Sequence, residues 1–113
     1  MKESLKEFLD YNDSDDELEY YIRIHAEWSE ESFLKMKRLI SNVIEDYSDD
    51  SYYPKSIIYY CLKVIQRIID IISNDFFCQH VWPKEFTQES YNAFISERII
   101  DLKSIRENFI NSI

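Results

Sequence analysis

Two pairs of carboxylates, each three residues apart, are the residues of this sequence best placed to do chemistry: Glu27 and Glu30 in "EWSE", and Asp46 and Asp49 in "DYSD". On a helix such pairs share a face. Two of them brought together from facing helices make a hard, oxygen-rich site for magnesium, which can activate water or polarise a phosphate. Glu30 and Asp46, however, fall at opposite ends of one expected helix, about 24 Å apart at 1.5 Å per residue, so they cannot share an ion within one chain. Cys78 and His80 are donors suited to zinc, but a structural zinc site takes four ligands and His25 stands alone. His25 with Glu27 suggests acid–base work, yet no nucleophile joins them at a useful spacing. Phosphate-cradling loops need glycine, and the chain has none. No catalytic residue, metal or cofactor is expected.

Binding remains, and one stretch stands out for it. "EDYSDDSYYP", residues 45 to 54, holds four carboxylates and three tyrosines before its proline. A second acidic run, "YNDSDDELE", precedes it. Residues 1 to 53 hold 15 acidic and 6 basic side chains, while residues 54 to 113 hold 7 of each, so the net charge of −9 arises in the first half. A field of that sign repels nucleic acid and anionic membrane and attracts basic proteins. The residues expected to face a partner are Glu45, Asp46, Asp49, Asp50, Tyr52 and Tyr53, with Asp13, Asp15 and Asp16 as a second patch and Trp82 as a further anchor. The two acidic runs share one side if the helix from 30 to 47 folds back beside its predecessor. Tyr11, Tyr20 and Tyr47 add amphipathic area, since aromatic anchors with complementary charge are what tight interfaces use. The competing reading is that the acids keep the domain soluble and the tyrosines cover the edge of its core.

The elements that must position these groups read as helices. With no glycine and two prolines, the tight turns of an all-β fold are scarce. A short helix is expected at about Lys2 to Leu9. "SDDE", residues 14 to 17, has the form of a capping box and predicts a helix from about Asp15 to Glu27. Leu18, Tyr20, Ile22, Ile24, Ala26 and Trp28 alternate with the period of a strand, but no second strand of similar quality exists to pair with it. Ser29 caps the next helix, with Trp28 and Phe33 as a hydrophobic staple, and Phe33, Met36, Ile40, Val43 and Tyr47 form its stripe. Pro54 suits a first helical position. From there to about Ser73 the chain is apolar around most of its circumference. One line runs through Ile58, Leu62, Ile65, Ile69 and Ile72, with Ile57, Cys61, Val64, Ile68 and Ile71 beside it, as in a helix covered on several sides. Thr87, with Phe86 and Tyr91 at staple spacing, opens the last helix. The expectation is an all-α, single-domain bundle over residues 1–113, about five helices around a central apolar helix at 54–73. The N-terminus has no secretory pattern and no run spans a membrane, so a cytoplasmic protein with free cysteines is expected.

"WSEESFLKMKRLISNVIEDY", the "SDDSYYP" after it and "YNAFISERIIDLKSIRENF" together resemble the small, acidic, all-helical immunity proteins of bacterial polymorphic toxin systems, including contact-dependent growth inhibition and colicin-type systems. That resemblance implies a protein that neutralises a cognate toxin, often a basic nuclease, by presenting carboxylates where the toxin expects phosphates or by binding beside its active site. It implies no enzyme activity. The paired acids partly resemble those of all-helical nucleotide pyrophosphohydrolases, which keeps open a metal-dependent phosphohydrolase assembled across a dimer. An adaptor subunit for another basic protein is the third possibility.

Overall fold

A chain without glycine has few ways to reverse direction other than by ending a helix, and helices are what this one forms. The structure, a computed structural model, describes residues 1–74, 77 and 82–113. Helix α1 spans Glu3–Asn12, α2 Leu18–His25 and α3 Glu30–Tyr47. Helix α4 is continuous from residue 55 to 72: α-helical over Lys55–Tyr59, π-helical over Tyr60–Val64 and α-helical again over Ile65–Ile72. Helix α5 spans Gln88–Ser112. The fold is all-α, with no strand among the described residues. The alternation after Leu18 is two apolar pairs on different faces of α2: Leu18 and Ile22 are buried, Tyr20 and Ile24 exposed.

The caps explain where the helices begin. Ser29 Oγ accepts from the Ser32 amide at 3.1 Å, and the Trp28 and Phe33 rings meet 5.3 Å apart across it. Thr87 and Ser90 form a reciprocal capping box, with Phe86 against Tyr91 at 5.3 Å. The Ser14 to Glu17 box does not form. The Ser14 hydroxyl instead donates to the Tyr11 carbonyl at 2.7 Å and closes α1, which runs a turn further than expected. Glu17 is itself the cap of α2, its carboxylate accepting from the Glu19 and Tyr20 amides at 2.8 and 3.0 Å. The helix therefore starts three residues later. Pro54 likewise precedes the first turn of α4 rather than opening it.

Packing sets the topology. Lys2 at the start of α1 reaches the Asp46 carbonyl and Asp50, whereas Tyr11 at its end meets Ser32, so α1 lies antiparallel along α3. Tyr53, before α4, packs on Phe109, and Phe77, beyond α4, packs on Tyr91, so α5 runs antiparallel to α4. One cluster of buried side chains joins the five helices of the described residues. Each fully buried aliphatic or aromatic side chain in it contributes about 1.5–3 kcal/mol. On α4 the buried line is Ile57, Cys61, Val64, Ile65, Ile68, Ile69 and Ile72, with Tyr60 beside it. Ile58 and Leu62, expected in that line, are exposed. The apolar arc of α4 is wider than its neighbours cover. Cys61 is free, and burial pushes its thiol up to about 12, which makes it inert. The pairing of Cys78 with His80 and the state of Cys78 lie outside the described residues.

Candidate functional site

Helix α3 is 18 residues long, and its carbonyl end carries the negative pole of the helix dipole. Glu45 and Asp46 sit in that last turn with no basic residue among them, and Asp49 and Asp50 follow at once. All four carboxylates are exposed. Each is placed where the dipole disfavours it, by about 0.3–1 kcal/mol at an exposed site.

Lys2 partly offsets this charge. Its ammonium donates to the Asp46 carbonyl, pairs with Asp50 at 3.2 Å and lies 4.4 Å from the centre of the Tyr47 ring. The Glu45 carbonyl accepts from the Ser48 amide and hydroxyl, at 3.3 and 2.9 Å. The Tyr47 carbonyl accepts from the Asp50 amide at 3.1 Å. The backbone carbonyls of Glu45, Asp46 and Tyr47 are thus all satisfied. The carboxylates of Glu45, Asp46 and Asp49 make no ion pair among the described residues.

The tyrosines of this stretch divide. Tyr52 is 77% exposed and lies beside the acids in sequence, as an anchor should. Tyr53, also expected to face a partner, is a core residue at 7% exposure, its ring 5.2 Å from that of Phe109. Its neighbour Pro54 is the residue just before α4, and the chain must turn inward there to bury Ile57. Tyr11 is buried too: its hydroxyl accepts from the Leu18 amide at 3.0 Å and shares a hydrogen bond with Ser32 Oγ at 3.0 Å. Burial pushes the Tyr11 phenol up to about 12. Tyr20 is exposed, Tyr47 half-buried beneath Lys2, and Trp82 exposed.

Asp13, Asp15 and Asp16 are exposed in the turn between α1 and α2, but they do not join the first cluster. Ser32 Oγ donates to the Asp16 carbonyl near the start of α3, whereas Asp46 is at its end. Fourteen residues of helix, about 21 Å, separate the two. The antiparallel pairing of α1 with α3 is the cause. Asp15 and Asp16 also precede the positive end of α2, where carboxylates stabilise a helix, so their placement has a structural reason that Glu45 and Asp46 lack.

The other acid pair is committed inside the chain. Glu30 takes two hydrogen bonds from Arg98 Nε, at 2.8 and 3.0 Å, and one from the Trp28 indole at 3.2 Å. Burial pushes its carboxyl up, and Arg98 and Trp28 together outweigh that and hold it below the ordinary value. Glu27 accepts from the Tyr21 hydroxyl at 3.2 Å, and the His25 ring lies tilted against that of Tyr21, centroids 4.3 Å apart. Among the described residues no three His, Cys, Asp or Glu side chains come together to hold a metal ion.

Two features escaped the sequence reading. Glu17, a buried carboxylate, also accepts from the Tyr60 hydroxyl at 2.6 Å, and so ties α2 to α4. Burial, with the neighbouring Tyr11 and Glu17, pushes the Tyr60 phenol well above its ordinary value. The second is the exposed apolar face of Ile58, Tyr59 and Leu62, whose only trace in the sequence was the excessive width of the α4 stripe. No helix of the described residues is long and apolar enough to cross a membrane. Compared with known families, curated proteins and solved structures, the chain matches none.

Proposed function

We propose that this protein is a binding protein of the immunity type, which neutralises a basic toxin by engaging it with the acidic end of α3. One observation carries the reading: Glu45, Asp46 and Asp49 are exposed, unpaired among the described residues, and set against the negative pole of their own helix. Fold stability does not account for them there. A surface that keeps charge at a cost to its own helix and holds its backbone fixed is preorganised for a cationic partner. Tyr52 supplies the exposed aromatic contact beside them. The substrate-mimic form of inhibition, carboxylates in place of phosphates, suits this chemistry.

The test is a growth assay. The reading frame adjoining the gene is expressed with and without this protein in a sensitive host. Protection by the parent and failure of the triple variant Glu45→Lys, Asp46→Lys, Asp49→Lys is the expected result. A toxic neighbour that the triple variant still neutralises rejects this surface, and a neighbour with no toxicity rejects the immunity role. An adaptor for another basic protein would bind through the same carboxylates without rescuing growth. A phosphohydrolase assembled across a dimer draws no support from Glu27 and Glu30, which are committed to Tyr21 and Arg98.

A further inference from the structure

Helix α4 carries more apolar surface than the bundle covers, and the excess is organised. Ile58, Tyr59 and Leu62 are 36%, 53% and 38% exposed, and with Lys55 and Lys63 they line a shallow groove of about 290 Å³. A contiguous apolar patch rimmed by charge is the form a docking site takes. Leu62 and Lys63 of this patch belong to the π-helical stretch, and such widened turns often accompany functional surfaces.

Tyr59 is fixed before anything binds. Arg67 donates to its hydroxyl at 2.8 Å, with the guanidinium 5.6 Å from the ring centre. Arg67 is itself clamped by both carboxylate oxygens of Glu19 on α2, at 2.7 and 2.9 Å. A preset aromatic loses little conformational freedom on binding, which favours it as an anchor.

We propose that this face of α4 docks an amphipathic helix of a partner protein whose apolar stripe is flanked by carboxylates. Lys55 and Lys63 both line the groove, eight residues apart along α4, and carboxylates flanking the stripe of the incoming helix meet them both. A second copy of this chain fits poorly. Antiparallel pairing about Tyr59 sets Lys55 against the other copy's Lys63, and parallel pairing sets like lysines together. An extended anionic surface, membrane or nucleic acid, is repelled by the net charge of −9. A single helix meets the two lysines at contact distance, where charges beyond about 8 Å are largely screened at physiological salt. This inference stands apart from the role of the acids at the end of α3.

The test selects binders from a displayed library of helical peptides with Leu, Ile, Val or Phe at stripe positions and randomised flanks. On the parent, Asp and Glu should be enriched at the flanks. Lys55→Glu with Lys63→Glu should turn that preference to Lys and Arg. A selected peptide should lose at least tenfold in affinity on Leu62→Asp and on Tyr59→Ala, with helical spectra and melting unchanged. Should Leu62→Asp fail to fold, Leu62→Gln replaces it. Flanks selected without regard to charge, or preferences unmoved by the double lysine change, would overturn the proposal. So would dimerisation of the parent, or sedimentation with phosphatidylglycerol vesicles, that Leu62→Asp abolishes.

Discussion

The hydroxyls of Tyr53 and Tyr60 are both buried, and they make opposite contributions. Tyr60 donates to a buried carboxylate at 2.6 Å, whereas the Tyr53 hydroxyl has no hydrogen-bond partner among the described residues. Leaving a buried polar group unsatisfied costs about 1–3 kcal/mol, and a hydrogen bond to a charged group contributes about 1.5–3 kcal/mol. Tyr53→Phe should therefore raise stability and Tyr60→Phe lower it, by amounts of that order, as read from urea unfolding midpoints. Equal effects of the two changes would reject the distinction. Ala26 ends α2 with φ 55°, in the left-handed region, which costs a residue with a Cβ about 1–2 kcal/mol. In this glycine-free chain alanine takes the place glycine usually holds, and Ala26→Gly should stabilise by up to about 1 kcal/mol. At this scale the sequence was least legible. A loop has no periodicity, so nothing separates exposed Tyr52 from buried Tyr53, and a glutamate is an uncommon enough cap that Ser14 looked the better start for α2.

Helix ends and ion pairs set the next level. Ser29 and Thr87 were legible as caps because each combines a side-chain oxygen with a staple of apolar residues five apart, and the structure forms both. The end of α3 was legible to the residue, but its relation to α1 was not, since the direction of packing depends on contacts such as Tyr11 with Ser32 that no local pattern encodes. Replacing Glu45 and Asp46 by lysine should complement the dipole and stabilise the protein by about 0.3–1 kcal/mol per site, while abolishing the protection that the proposed immunity role entails. Stability and function moving together would count against the proposed role. Two clamps couple distant elements, Glu19 to Arg67 and Glu30 to Arg98. Hydrogen bonds from Arg67, working against burial, hold Glu19 below its ordinary 4.5, and Glu30 lies below it as well. A carboxyl with a depressed folded value contributes stability in full above the unfolded value, and loses it as pH falls through the folded one. Stability should be level above about pH 5 and fall below about pH 4.5, and Glu19→Gln should flatten that fall, as measured by melting temperature against pH. An acid limb unchanged in Glu19→Gln would assign it to other carboxyls.

For the whole molecule, the proposed complex would be governed in its encounter by the asymmetric charge and in its lifetime by short contacts. The net charge of −9 comes from the half that carries the end of α3, so the field around that end is negative well beyond contact distance. Opposite fields speed association by about 10- to 1000-fold at low ionic strength, and salt erodes that gain as the Debye length contracts from about 30 Å at 0.01 M to about 8 Å at 0.15 M. The association rate constant with the basic partner proposed above should therefore fall steeply over that range. Glu45→Lys with Asp46→Lys changes the net charge by four units at the site itself, and should slow association at low salt and flatten its salt dependence. Tyr52→Ala removes no charge. If its exposed ring packs into the partner, that change should leave association nearly unaltered and raise the dissociation rate, by tenfold for each 1.4 kcal/mol of lost contact. Surface kinetics at two salt concentrations separate these effects. A salt-independent association rate for the parent would mean that the acids do not steer the encounter. A dissociation rate unmoved by Tyr52→Ala would leave the acids to bind without an aromatic anchor.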